Sequence, residues 1–136
     1  MSMFAAFNIS ASGMTAQQLR TDVISQNIAN ANTTRTSDGT AYVKKSVVFT
    51  EKTVTSGMAG RSVYSSSGTT FADALRAAND PSHPDADENG YVTYPNVNVV
   101  QEMTDLIDAS RSYEANISAF NSSKDMASKG LTIGQS

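Results

Sequence analysis

Residues 99–131 keep a 4-3 apolar spacing through four heptads: Val99, Met103, Leu106, Ser110, Tyr113, Ile117, Phe120, Lys124, Ala127 and Leu131. Eight of these ten positions are apolar or aromatic, and charged or amide residues such as Glu102, Asp105, Asp108, Arg111, Glu114 and Asn116 lie between them. This pattern predicts one long amphipathic helix with a narrow seam, as in a coiled-coil strand. At about 1.5 Å per residue it would run roughly 50 Å, well beyond an average globular helix. Pro95 disfavours helix at Tyr94, Asn98 can cap the first turn, and Gln101 stands where a capping box wants Glu or Gln. No Pro or Gly interrupts the run until Gly130, and Gly134 follows it. A seam of this length needs a cover, so the function turns on what packs against it.

The N-terminal end offers a second helix over residues 4–31, with Gly13 as its one glycine and no proline. Phe4, Phe7, Ala11 and Met14 mark one face, Ala16, Leu19 and Val23 another, and Ile24, Ile28 and Ala31 a third. Two readings fit: an amphipathic helix with a loose stripe, or a helix touched on several sides by different neighbours. The 30–39 segment, rich in Asn, Thr and Ser and closing on Asp38-Gly39, ends the helix in a turn. Residues 42–50, with Val43, Val47, Val48 and Phe49, read as a strand. Residues 53–55 and 61–66 are candidate short strands, 65–70 a mobile Ser-Gly-Thr loop and 71–79 a short helix. Asn89-Gly90 heads a last short strand at Tyr91, Val92, Thr93 and Tyr94.

Composition narrows the classes. Leu, Ile, Val and Phe contribute only 25 of 136 residues, while the net charge is just −3. Such a chain buries a small core alone and is expected to complete it against copies or relatives of itself. The acidic balance argues against nucleic acid. With no cysteine there are no disulfides and no thiolate ligands. No stretch is apolar enough to span a bilayer, and residues 1–7 lack the basic start and long apolar run of a cleaved signal peptide.

Few residues could carry chemistry. The single histidine, His83, stands between Pro81 and Pro84 with no nucleophile motif beside it, so a small hydrolase is a weak reading. Asp85-Ala86-Asp87-Glu88-Asn89-Gly90 matches the first half of an EF-hand loop. The twelfth position is Asn96 rather than a bidentate Glu, and two prolines oppose the incoming helix. A calcium-binding surface or signalling module using Asp85 to Asn96 is nonetheless the alternative function. An acidic turn is the plainer reading.

Two stretches together resemble a known family. Ser12-Gly13-Met14-Thr15-Ala16, followed by Asn27-Ile28-Ala29-Asn30-Ala31-Asn32-Thr33-Thr34, is similar to the N-terminal motif of the bacterial flagellar axial proteins, which form rod, hook and hook-associated structures. Asn96-Val97-Asn98-Val99-Val100-Gln101-Glu102-Met103 and Ser110-Arg111-Ser112-Tyr113-Glu114-Ala115-Asn116-Ile117 resemble their C-terminal helix. The shortness of the chain points to the proximal-rod members. The resemblance implies a structural protein rather than an enzyme, with no cofactor, metal or small-molecule substrate. It implies export without cleavage by the flagellar type III apparatus. The implied partners are other rod subunits and the rod-adapter and hook-basal-body proteins. The implied location is the basal-body rod, outside the cytoplasmic membrane and periplasmic where an outer membrane exists.

The expected fold is mainly α with a small irregular β region, the long terminal helices packed as a coiled coil. Its parts are an N-terminal helix (1–36), a β-rich and loop region (37–95) and a C-terminal helix (96–136). The residues expected to pack, within the chain or between subunits, are Phe7, Met14, Leu19, Val23, Ile28, Asn30, Val99, Met103, Leu106, Tyr113, Ile117, Phe120 and Leu131.

Overall fold

The structure, a computed structural model, describes residues 3–53, 61–70 and 75–134, and the side chains of 6–50 and 75–134. It is mainly helical, with two long helices and two small antiparallel β-hairpins between them. Helix α1 spans Met3–Ala29 and α2 spans Val99–Ile133. The two pack against each other, and α1 also touches both strands of the first hairpin. Burial on α1 follows from this. Ala16, Val23, Ile24, Ser10 and Asn27 are all buried although they do not share one narrow stripe. The reading of α1 as touched by several neighbours holds.

Both ends of α2 follow from local chemistry. The Asn98 side chain accepts from the backbone N–H groups of Val100 at 3.1 Å and Gln101 at 3.3 Å, satisfying two donors that the first turn leaves open. Gln101 does not complete the expected capping box; its amide donates forward to Asp105 at 3.5 Å. The helix continues through Gly130 and stops at Gly134.

Strand β1 (Lys45–Thr53) pairs antiparallel with β2 (Arg61–Thr70). The 65–70 segment, expected as a mobile loop, is therefore the second half of β2, hydrogen-bonded to the start of β1. Backbone pairing needs no apolar side chain, so a Ser/Thr run joins a ladder when a partner strand lies alongside. The register passes from Ser46 opposite Thr69 to Val47 opposite Ser67, leaving Gly68 as the extra residue of a bulge. Residues 54–60, including Gly57 and Gly60, and residues 71–74 lie outside the described residues.

The expected 71–79 helix is overturned in its described part. Arg76–Asn79 is strand β3, paired with β4 (Tyr91–Tyr94). Alanine propensity loses here because Ala78 stands opposite the fully buried Val92 across the ladder. The 80–90 loop closes the hairpin. Gly90 has φ +78°, and a Cβ there would lie 3.0 Å from the Pro81 ring, so glycine is required on both counts.

The buried apolar residues among those described are few: Ala16, Val23, Ile24, Ala41, Tyr42, Val92 and Ala109. No helix among the described residues is long and apolar enough to cross a membrane.

Candidate functional site: the helix seam and its polar node

The α1–α2 seam is the site the fold is built to present. Opposed contacts fix its register: Phe7 meets Phe120 edge-on with ring centroids 5.0 Å apart, Gly13 faces Asn116, and Asn27 bonds Glu102. The helices therefore run antiparallel.

Half-buried Asp105, Ser112 and Ile117 flank the main run of less exposed positions on α2, which is Val99, Glu102, Leu106, Ala109, Tyr113, Asn116, Phe120, Ser123 and Ala127. This is again a 4-3 repeat, but it is not the repeat expected from apolarity. One column, Val99, Leu106, Tyr113, Phe120 and Ala127, coincides with it. The other is displaced by one residue, to Glu102, Ala109, Asn116 and Ser123. One residue is about 100° of helix rotation, so Met103 and Leu131 leave the seam and stand 51% and 69% exposed. Val100 and Ile107 are exposed with them. Among the other expected packing residues Val23 is buried, while Phe7, Met14, Leu19, Ile28, Asn30, Val99, Leu106, Tyr113, Ile117 and Phe120 are half-buried. Asn30 closes the end of α1, donating to the Gln26 carbonyl at 2.8 Å and accepting from the Thr33 hydroxyl at 3.2 Å.

The displaced column exists because α1 offers it particular partners. Gly13 leaves a notch: a Cβ there would lie 2.8 Å from Asn116 Oδ1. About four turns further along, Asn27 and Glu102 are among the most deeply buried side chains of the described molecule, at 1% and 2% exposure. Asn27 uses all four of its hydrogen-bonding capacities. Its Nδ2 donates to the Lys45 carbonyl at 2.8 Å and to Glu102 Oε2 at 3.1 Å. Its Oδ1 accepts from the Tyr42 hydroxyl at 2.9 Å and from the Lys45 backbone N–H at 3.0 Å. The other Glu102 oxygen pairs with Lys44 Nζ at 2.6 Å. Burial, and then the nearby Glu102 charge, push the Tyr42 hydroxyl above its ordinary pKa of 10.0, so it remains a neutral donor. A buried carboxylate is tolerable only when paired and hydrogen-bonded, and both conditions are met. A cleft of about 130 Å³ opens beside the node, bordered by Arg20, Lys45 and Asp105.

A second tie lies farther along the molecule. Asp85 pairs with Arg35 at 2.8 Å and accepts from the Thr34 hydroxyl at 2.8 Å. Two carboxylates of the candidate calcium loop are thus otherwise engaged. Asp85 turns to the segment after α1, while Asp87 Oδ1 accepts from the Asn89 and Tyr91 N–H groups of its own turn at 2.9 and 2.8 Å. Among the described residues no group of three or more acidic or histidine side chains is placed to hold a metal ion. The calcium alternative finds no support. His83 accepts from the Asp85 N–H at 3.1 Å and stacks edge-on against Tyr94, which makes it a brace of the loop.

Sequence reasoning missed Glu102, Asn116, Lys44 and Tyr42 as seam residues. The available signal was Asn27 inside a helix. Asn is a poor interior helix residue unless its amide has work elsewhere.

A family model described as flagella basal body rod protein matches residues 7–35, and one described as flagellar basal body rod FlgEFG protein C-terminal matches residues 88–133. These two stretches carry both seam helices and, of the node, Asn27 and Glu102. The chain is similar to the flagellar basal-body rod protein FlgC of Borreliella burgdorferi, at 41% identity over 99% of each chain. It is likewise similar to the FlgC proteins of Bacillus subtilis, at 39%, and Salmonella typhimurium, at 40%; both matches cover 99% of this chain and all of the relative.

Proposed function

The chain belongs to the FlgC family of flagellar basal-body rod proteins, and from that premise we propose that it is a structural subunit of the proximal rod. The observation that carries the proposal is the end-to-end match to rod proteins at about 40% identity, with both seam helices inside the matched regions.

The physical state of the chain supports the reading. Its core is small, and its long helix leaves Val100, Met103, Ile107, Met126, Leu131 and Ile133 more than half exposed. Neighbouring axial subunits would cover such residues, and heterologous contacts of this kind propagate along a helical assembly. Its work is mechanical, without catalysis or cofactor. The partners are other rod and hook-basal-body proteins, reached through the type III export apparatus as an unfolded chain. The location is the basal-body rod outside the cytoplasmic membrane, periplasmic in cells with an outer membrane.

Deleting the gene and isolating basal bodies tests this. Cells lacking the chain should make no hook, and basal bodies from wild-type cells should contain it as a stoichiometric component. Normal hooks in the deletion strain would refute the assignment.

A further inference from the structure

The apolar column of α2 does not by itself choose one register. Val99, Leu106, Tyr113, Phe120 and Ala127 repeat every seven residues. A slip of one heptad, about 10 Å along the axis, therefore presents apolar residues again. In one direction the slipped pairing is well matched over the overlap that remains, with Phe120 carried beyond the start of α1. Phe7 would meet Tyr113 in place of Phe120, and Gly13 would meet Ala109 in place of Asn116. Glu102 would move from the level of Asn27 to that of Arg20, a cation already bordering the adjacent cleft. Aromatic, small and charged positions all find acceptable partners there.

What that register lacks is the polar contact at the end of α1. Glu102 would leave Asn27 Nδ2 and Lys44 Nζ. Asp85, on the hairpin four residues before α2, would be drawn from Thr34 and Arg35. We propose that these two carboxylates of the C-terminal half, Glu102 and Asp85, received by residues 27–44, select the observed register over a competing one a heptad away. A polar group buried in an otherwise repetitive seam is a known way to specify register. The inference rests on the geometry of the single chain and stands apart from the rod assignment. Its consequence for a rod subunit is that every outward surface of α2 keeps a fixed height relative to α1.

The chain has no cysteine, so engineered pairs report register cleanly. Gly13→Cys with Asn116→Cys reports the observed register, because a Cβ at residue 13 lies 3.0 Å from Asn116 Cγ. Gly13→Cys with Ala109→Cys reports the slipped one, which lies beyond disulfide reach unless the helix moves. In purified full-length protein under mild oxidation, only the 13–116 pair should close. Adding Asn27→Ala, Lys44→Met and Asp85→Ala removes both ties while leaving Glu102 to seek Arg20. In that background the 13–109 bridge should rise at least tenfold relative to 13–116. A further Arg20→Gln should return most of the product to 13–116. Persistence of 13–116 as the sole bridge in every background would overturn the proposal. So would closure of neither pair, since the ties would then hold the helices together rather than choose between registers.

Discussion

Truncating Asn27 to alanine is the sharpest test of the node. The change removes four hydrogen bonds of 2.8 to 3.1 Å at a side chain 1% exposed. Not all of that is lost stability. The Lys45 backbone groups belong to an exposed residue and can turn to water. Two groups cannot. Glu102 Oε2 is left with no amide donor in a buried position, and the Tyr42 hydroxyl, in a residue 8% exposed, loses its acceptor. An orphaned partner costs about 1–3 kcal/mol, toward the upper end for a charged group. Alanine returns about 0.5 kcal/mol of helix propensity. The net expectation is a loss of about 3 kcal/mol, a large share of the roughly 7–20 kcal/mol available to a chain of this length. Urea unfolding followed by far-ultraviolet circular dichroism measures it. With a slope of about 1–3 kcal/mol per molar, the midpoint should fall by about 1–3 M. Asn27→Asp should be worse still at neutral pH, because it places a second carboxylate against Glu102. A midpoint shift below about 0.3 M for Asn27→Ala, at that same slope, would refute the view that the node is a satisfied buried network.

Other expectations follow from the same contacts. Gly13→Ala should be nearly neutral, because about 1 kcal/mol of helix propensity offsets the displaced Asn116 amide, whereas Gly13→Leu should cost about 1–3 kcal/mol by forcing the helices apart; the same urea titration reads both. The raised Tyr42 pKa means that the folded state holds this proton more tightly than the unfolded chain. Its contribution is complete below pH 10 and disappears as pH climbs through the folded value. Tyr42→Phe should therefore cost about 1 kcal/mol at neutral pH and flatten the stability loss above pH 10. In cells, Ile117→Asp, at a half-buried position beside the seam, should leave secretion intact and abolish hook formation. Asp108→Asn, on the exposed side, should leave swimming unchanged, as judged by motility agar and by immunoblots of secreted protein.

Much was legible in the sequence alone. The two helices, the Asn98 cap, the turn at Asp38-Gly39 and the strand after Gly90 rest on local rules that need no partner. Heptad spacing requires only a residue's distance from its own neighbours, and a cap only a side chain two or three positions from the open amides. The shortage of aliphatic residues likewise foretold a small core. What failed were particular decisions that depend on a partner far away in sequence. Residues 65–70 form a strand because β1 lies beside them, and residues 76–79 do so because β4 does. Neither fact can be recovered from Ser/Thr or Ala content.

The seam shows the division most clearly. Periodicity by itself established that α2 has a seam, and it located the column through Val99, Leu106, Tyr113, Phe120 and Ala127. It assigned the second column to Met103 and Ile117 because apolar residues are the usual core formers. Only the tertiary structure could rotate that column by one residue onto Glu102, Ala109, Asn116 and Ser123. The reason lies on the opposing surface. Gly13 leaves room for an amide, and Asn27, Lys44 and Tyr42 together make a buried carboxylate affordable. Whether a polar residue belongs inside is a property of what faces it, and sequence spacing records only what lies beside it.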